Sequence, residues 1–253
     1  MRSVITGIAG IAATVAVTAT SLAAQAAGKF PPDSLVNVQV IPKTTSVVQV
    51  VGVMRNVAIG LGVRCQFCHI GEEGQPLGQF DFASDQKRTK LIARQMMGMM
   101  QEINRRLDTL PQRATPPIQV GCATCHRGIS RPVPLFTVVA DAAIAVNADS
   151  ALRAYRSLRQ RYYGKDAYDF SEPSLNIAAF RVGRASKVDD ALSILTFNED
   201  MFPNSSAMYV FRGNILLMKP DTAAAAGAFR KAVQLDSTNS EARGRLRDIG
   251  QRP

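Results

Sequence analysis

Two short segments of the chain repeat one pattern of two cysteines and a histidine. Residues 63–74 read VRCQFCHIGEEG, and residues 120–128 read VGCATCHRG. Each contains Cys-x-x-Cys-His, and together they hold all four cysteines and both histidines of the 253 residues. Cysteine and histidine are the side chains that most often bind metals or attach cofactors. These two segments therefore constrain the chain more than any other feature.

Three kinds of chemistry use such a pattern, and two of them explain it poorly. Zinc could be held by four thiolates from the two Cys-x-x-Cys units. However, 53 residues separate Cys68 from Cys122, and a complete four-thiolate site has no need of histidine. A disulfide within each unit, as in thiol-exchange proteins, leaves His69 and His126 without a role. The βαβ pattern of those proteins is also missing.

Covalent attachment of c-type haem gives every residue of the pattern a role. The two cysteines form thioether bonds to the porphyrin, and the adjacent histidine binds the iron as its proximal ligand. We therefore expect two covalently attached c-type haems. The residues expected to hold them are Cys65, Cys68, Cys122 and Cys125 for attachment, and His69 and His126 for the iron.

The second axial ligand of each iron must be another residue type, because both histidines are already used. Methionine is the remaining common donor, and it raises the reduction potential relative to a second histidine. Met54 stands eleven residues before Cys65, and a methionine cluster precedes Cys122. The cluster consists of Met96, Met97, Met99 and Met100. A methionine in a helix is usually core packing, so the pattern by itself only supplies candidates.

Composition and periodicity predict a mainly α protein with few strands. Tryptophan is absent, aromatic residues make up 6% and alanine is frequent, which suits helices better than strands. One helix is expected along a stripe of apolar residues from Val47 to Leu61, ended by Gly60 and Gly62. A second is expected within residues 85–110, with Ser84 or Asp85 as its N-cap.

The chain divides into three parts by pattern: a signal peptide over 1–26, a dihaem cytochrome domain over 27–140 and a helical-repeat domain over 141–253. In the last part, residues 174–205 and 206–240 resemble two tetratricopeptide-type repeats followed by a closing helix. Gly183 and Gly213, 30 residues apart, stand in matching contexts. An unrelated helical bundle is the alternative.

The first residues and the charge balance bear on location and partners. A positive start, an apolar run and Ala24-Gln25-Ala26 predict export to the periplasm, with a retained membrane anchor as the alternative. The formal charge is +10, yet the basic residues are scattered and no nucleic-acid motif accompanies them. We expect acidic or membrane-bound redox proteins as partners, possible peripheral association with a membrane complex, and no nucleic acid.

Three segments together resemble a known family. They are MRNVAIGLGVRCQFCH, FDFASDQKRTKLIARQMMGMMQEIN and VGCATCHRG. Between Leu35 and Pro134 the chain is similar to one two-haem half of the tetrahaem cytochrome c subunit of photosynthetic reaction centres. The resemblance implies Met54 as the axial ligand of the first haem and Met96 as that of the second. Met99 and Met100 remain alternatives, because all three can lie on a similar helix face.

The resemblance has limits. The family subunit carries four haems, and one of its haems uses a histidine from a position where this chain has none. Fold and ligation therefore transfer better than the photosynthetic role. Six basic residues are candidates to pair with haem propionates. They are Arg64, Lys90, Arg94, Arg105, Arg127 and Arg131.

The function expected from these features is single-electron transport, with no catalytic residues and no enzyme activity. The repeats would serve as a docking surface. Two alternatives remain open. One is a haem enzyme of peroxidase or reductase type with one open iron site, and the other is a redox-sensing assembly subunit.

Overall fold

The computed structural model describes residues 28–112 and 115–252, and this part of the chain is built from helices. It contains ten α-helices and, apart from one isolated bridge between Ile70 and Asp81, no strand pairing. The prediction of a mainly α protein is confirmed. The helices are α1 Val47–Leu61, α2 Arg88–Asp108, α3 Cys122–His126, α4 Leu135–Ala145, α5 Ala148–Tyr162, α6 Glu172–Arg184, α7 Val188–Met201, α8 Ser206–Leu217, α9 Thr222–Leu235 and α10 Ser240–Asp248.

The predicted signal peptide, residues 1–26, lies outside the described residues. Within the described ranges, none of the helices combines the length and the apolar character needed to cross a bilayer.

Helix α1 has the bounds that its apolar stripe predicts. Ser46 and Gln49 form a capping box, since each side chain accepts a hydrogen bond from the other residue's backbone N–H. Gly62 ends the helix with φ +65°, a left-handed conformation that favours glycine. The first Cys-x-x-Cys-His segment therefore starts at a sharply defined point.

Helix α2 begins later than predicted. Its first residue is Arg88, and neither Ser84 nor Asp85 caps it. The Asp85 carboxylate instead accepts a hydrogen bond from Asn37, and it pairs with Lys90 and Arg94 on the first two turns of the helix. The predicted N-cap was wrong because these three side chains compete with the backbone N–H groups for the carboxylate.

Helices α4 to α10 form a C-terminal helical unit, in which consecutive helices pack in pairs. The pairs are α4 with α5, α6 with α7 and α8 with α9, and α10 closes the stack on α9. First helices also contact each other from pair to pair, as α4 does with α6 and α6 with α8. This arrangement buries two neighbouring core clusters, one within α4 to α8 and one within α8 to α10, and is typical of repeat architectures.

The last two pairs repeat at 34 residues. Helix α6 starts 34 residues before α8, and α7 starts 34 before α9. Ala191 and Ala225 occupy matching buried positions, as do Leu195 and Phe229. This period is that of tetratricopeptide repeats, and it aligns Gly213 with Ala179 instead of Gly183. Assignment to that repeat class stays a prediction.

The predicted division after residue 140 falls inside α4. Leu135 and Val139 of this helix are buried in the same core as the residues of α5 to α7. We therefore propose that the C-terminal helical unit starts near Leu135. Helices α1 to α3, with the segments around them, form the N-terminal unit that contains both cysteine motifs.

Candidate haem-binding sites

An apolar cavity of about 250 Å³ lies beside the first motif. Its walls come from α1, from α2 and from residues 35–41, an extended segment that we call the strap. The lining includes Met54, Cys65, Cys68, His69 and Met97. Both cysteines and the histidine of the first motif, together with the predicted axial methionine, thus face one space. A haem attached to this motif would lie there.

The first motif is held in shape by the start of α2. Cys65–Phe67 form a single 3-10 turn, and the His69 N–H donates to the Cys65 carbonyl at 2.9 Å. The Lys87 ammonium donates to the Gln66 carbonyl, and the Thr89 hydroxyl donates to the Phe67 carbonyl at 2.5 Å. These bonds use the carbonyls of the turn, and Thr89 also hydrogen-bonds to the Cys68 thiol.

The His69 ring suits an iron ligand. Its Nδ1 is buried and has no hydrogen-bond partner. Phe82 packs edge-on against the ring, with centroids 4.9 Å apart. Burial first, and then the charge of Lys90, hold the pKa of His69 below its ordinary value. The imidazole is therefore neutral near pH 7, which is the form that binds metal.

The cysteines favour haem attachment over the two alternatives. All four are free thiols, so neither Cys-x-x-Cys unit is closed as a disulfide. Among the described residues, no group of three or more His, Cys, Asp or Glu side chains comes together as a metal site. A zinc site would need that convergence. Burial raises the pKa of the Cys68 thiol, with an opposing effect from Thr89.

The second motif forms the short helix α3 itself. The Gly121 N–H donates to the Thr124 hydroxyl at 3.0 Å and starts the turn. His126 Nδ1 lies 3.0 Å from the Ile129 carbonyl oxygen. That distance fits a proton on Nδ1 donated to the carbonyl, which leaves Nε2 with a lone pair for a metal. A ligating histidine usually has its other nitrogen bound in this way.

Three glycines bring the two motifs together. The Gly128 N–H, just after the second motif, donates to the Gly60 carbonyl at 2.9 Å. A Cβ on Gly60 would lie 3.0 Å from the Cβ of Cys122, and one on Gly62 would lie 2.0 Å from the Gly128 oxygen. Only glycine permits this approach of backbone to backbone. The end of α1, which leads into the first motif, therefore rests directly on the second.

Helix α2 presents different methionines to its two sides. Met97 lines the first cavity, whereas Met96 and Met99 are 45% and 52% exposed on other faces of the helix. The Asn104 side chain exchanges two hydrogen bonds with the backbone of Val120, at 2.7 and 2.9 Å. This contact ties α2 to the chain just before α3. The contact brings α2 close to the second motif at Asn104, and Met96 stays a predicted ligand of the second haem.

The sequence named Met97 only as one of four clustered methionines, and it did not predict that Lys90 and Arg94 pair with Asp85. Lys90, Arg94 and Met97 share one face of α2 at spacings of four and three residues. The sequence shows that these three residues share a face of the helix, but it does not show whether that face lies on the cavity or on the outside. No local sequence pattern predicts that the strap residue Asn37 forms a hydrogen bond with Asp85 at 2.8 Å.

Paired Cys-x-x-Cys-His turns on a helical scaffold place the chain in the class of c-type cytochromes. The family model for the photosynthetic reaction centre cytochrome C subunit matches residues 4–162, and the chain belongs to this family. The predicted resemblance is confirmed, and the match extends beyond Leu35 and Pro134 at both ends. Membership implies covalently bound c-type haem and an electron-carrying role. No curated protein is similar enough to count as a match.

Proposed function

We propose that the chain is an exported dihaem c-type cytochrome that passes single electrons between redox partners. The observation that supports this most strongly is the contact of the two motifs through Gly60, Gly62 and Gly128. Two haems attached there would be neighbours within one unit. Bound haem supplies the one-electron chemistry, and the chain supplies ligands, burial and exclusion of water.

The proposed ligation leaves both irons saturated. Cys65 and Cys68 would attach the first haem, with His69 and Met54 as axial ligands. The second haem would be attached by Cys122 and Cys125, with His126 and Met96 as ligands. Irons with six strong ligands have no open position for a substrate, which favours an electron carrier over a peroxidase or reductase.

We infer that the C-terminal helical unit docks a partner. Two clefts along its first helices share Phe180 and Met218 in their lining. Each is also lined by basic and acidic side chains, Arg245 and Glu241 in one and Arg184, Lys219 and Asp189 in the other. Stacked helix pairs commonly bind partners on such surfaces. The overall charge of +10 favours an acidic redox protein, and the family match favours one that belongs to a membrane complex.

The test is haem stoichiometry and ligand accessibility in the full chain, produced in a host that matures c-type cytochromes. We expect two haems per chain, and one in each of the paired variants Cys65→Ala/Cys68→Ala and Cys122→Ala/Cys125→Ala. The reduced protein should not bind carbon monoxide rapidly. A single haem in the wild type would contradict the dihaem proposal, and rapid carbon monoxide binding would favour an enzyme with an open iron.

A further inference from the structure

Four side chains join the strap to α2 at the edge of the first cavity. The Asp85 carboxylate is the centre: it accepts from Asn37 at 2.8 Å and pairs with Arg94 at 2.9 Å and Lys90 at 3.2 Å. Arg94 also donates to the Asn37 carbonyl at 3.0 Å. We call Asn37, Asp85, Lys90 and Arg94 the latch, because they hold the strap across the cavity.

The latch leaves one positive charge uncompensated. Two cations share one carboxylate, and the side chains of Lys90 and Arg94 are only 11% and 13% exposed. Both cations line the apolar cavity. A charge that is largely removed from water is costly unless a counter-ion meets it. The missing partner is therefore an anion that enters with whatever fills the cavity.

Within the latch, Arg94 is the residue with donors left for that anion. The three N–H groups of Lys90 match three backbone carbonyls, those of Phe82, Ala83 and Ser84, at 2.8 to 3.0 Å. Arg94 uses two of its five N–H groups on Asn37 and Asp85. A guanidinium also matches the geometry of a carboxylate better than an ammonium does.

The other cations of the cavity lining are poorer candidates. Arg55 and Arg64 are both exposed to solvent. Arg64 also lies 3.5 Å from Glu73 in an ion pair whose side chains are 77% and 75% exposed. Solvent screens such charges, so they interact weakly with a group inside the cavity.

We propose that Arg94 binds one carboxylate of the group in the first cavity, a haem propionate, and thereby raises the reduction potential of that haem. This inference rests on the proposed function. A positive charge held near the iron stabilises the reduced state, which has one electron more than the oxidised state. Because the same guanidinium bonds to the strap, propionate binding and closure of the strap are linked at Arg94.

The experiment is a redox titration of the full-length haem protein, followed by visible absorbance, with the haem-to-protein ratio measured alongside. We expect Arg94→Gln to shift one of the two potentials downward and leave the other in place. Arg94→Lys keeps the positive charge, so its haem potential should stay close to the wild-type value. Arg88→Gln removes the same charge from an exposed position on α2 and should move neither potential.

Asn37→Ala distinguishes the effect of the Arg94 charge from the effect of holding the strap across the cavity. It removes a hydrogen bond to Asp85 without changing any charge. The inference is overturned if Arg94→Gln keeps both haems with unchanged potentials, or if Asn37→Ala produces the full Arg94→Gln shift. Loss of one haem in Arg94→Gln supports it when Arg94→Lys retains that haem, and overturns it when Arg94→Lys loses it too. A wild type without haem on Cys65 and Cys68 refutes the proposed function instead.

Discussion

Met54 and Met97 both line the first cavity, one from α1 and the other from α2. Only Met54 lies at the position that the family resemblance assigns to an axial ligand. We expect Met54→Ala to lower one haem potential, within the roughly 0.8 V range that axial ligands span, and to leave a five-coordinate or water-bound iron. Visible spectra and a redox titration check this. Met97→Ala is the matched control, and the reverse pattern would assign Met97 as the ligand.

Asp85 makes stability depend on acid pH. Its hydrogen bonds, first from Arg94 and then from Asn37, hold the pKa of this carboxyl well below its usual range. A depressed folded-state pKa gives stability that is present above the unfolded value of about 3.9 and is lost as the pH falls through the folded value.

Asp85→Asn should therefore lower the free energy of unfolding at pH 7, with the difference from wild type shrinking below about pH 4. Urea unfolding of both proteins over a series of pH values measures this difference in the free energy of unfolding. Glu73→Gln, which removes an acid from an exposed ion pair, should change stability by less than about 0.5 kcal/mol. Parallel pH curves for Asp85→Asn and wild type would contradict the assignment.

At the scale of single elements, one face of α2 gives Lys90, Arg94 and Met97 to the first cavity. We propose that a methionine on another face of the helix binds the iron of the second haem. Met96, Met99 and Met100 changed to Ala one at a time should lower the second haem potential in one case only. We expect Met96→Ala to be that case. A redox titration of each variant measures the second haem potential. A lowered potential in the Met99 or Met100 variant alone would identify that residue as the ligand.

The join between α1 and α3 depends on Gly62. Gly62→Ala would place a Cβ 2.0 Å from the Gly128 oxygen at φ +65°. The left-handed conformation alone costs about 1–2 kcal/mol, and the clash adds to it. Gly52→Ala, in the same helix with nothing within 4 Å, should instead stabilise by about 0.5–1 kcal/mol. Urea unfolding by circular dichroism compares them, and equal effects would refute the contact.

At the scale of the whole molecule, the closely packed helix pairs lie within one unit or the other. Phe229 is fully buried in the core of α8 to α10, away from the cysteine motifs. Phe229→Ala should destabilise the C-terminal helical unit by about 3–5 kcal/mol and leave both haem potentials unchanged.

Unfolding followed in parallel by circular dichroism and by haem absorbance tests this separation. In Phe229→Ala, the midpoint of the transition followed by circular dichroism should be lower than in wild type, while the midpoint followed by haem absorbance should be unchanged. The exposed Gln234→Ala on the same helix should change neither by more than about 0.5 kcal/mol. A common shift of both signals would mean that the two units unfold as one.

The sequence by itself determined the family, its class of cofactor and the mainly helical character of this protein. The Cys-x-x-Cys-His motifs, the helix from Val47 to Leu61 and the family resemblance are all local patterns, and local patterns can be read without a fold. The start of α2 and the period of the repeats were harder to predict from the sequence. Asp85 looks like an N-cap until Asn37 is brought to it, and the 34-residue period emerges once buried positions such as Leu195 and Phe229 are known.

Only the tertiary structure decided which residues share a site. It placed Met97 in the first cavity, laid the end of α1 on the second motif and built the latch around Asp85. These contacts join residues up to 68 positions apart, as Gly60 and Gly128 do. Sequence periodicity says that a helix has an apolar face, but the partner of that face depends on how the whole chain closes its core.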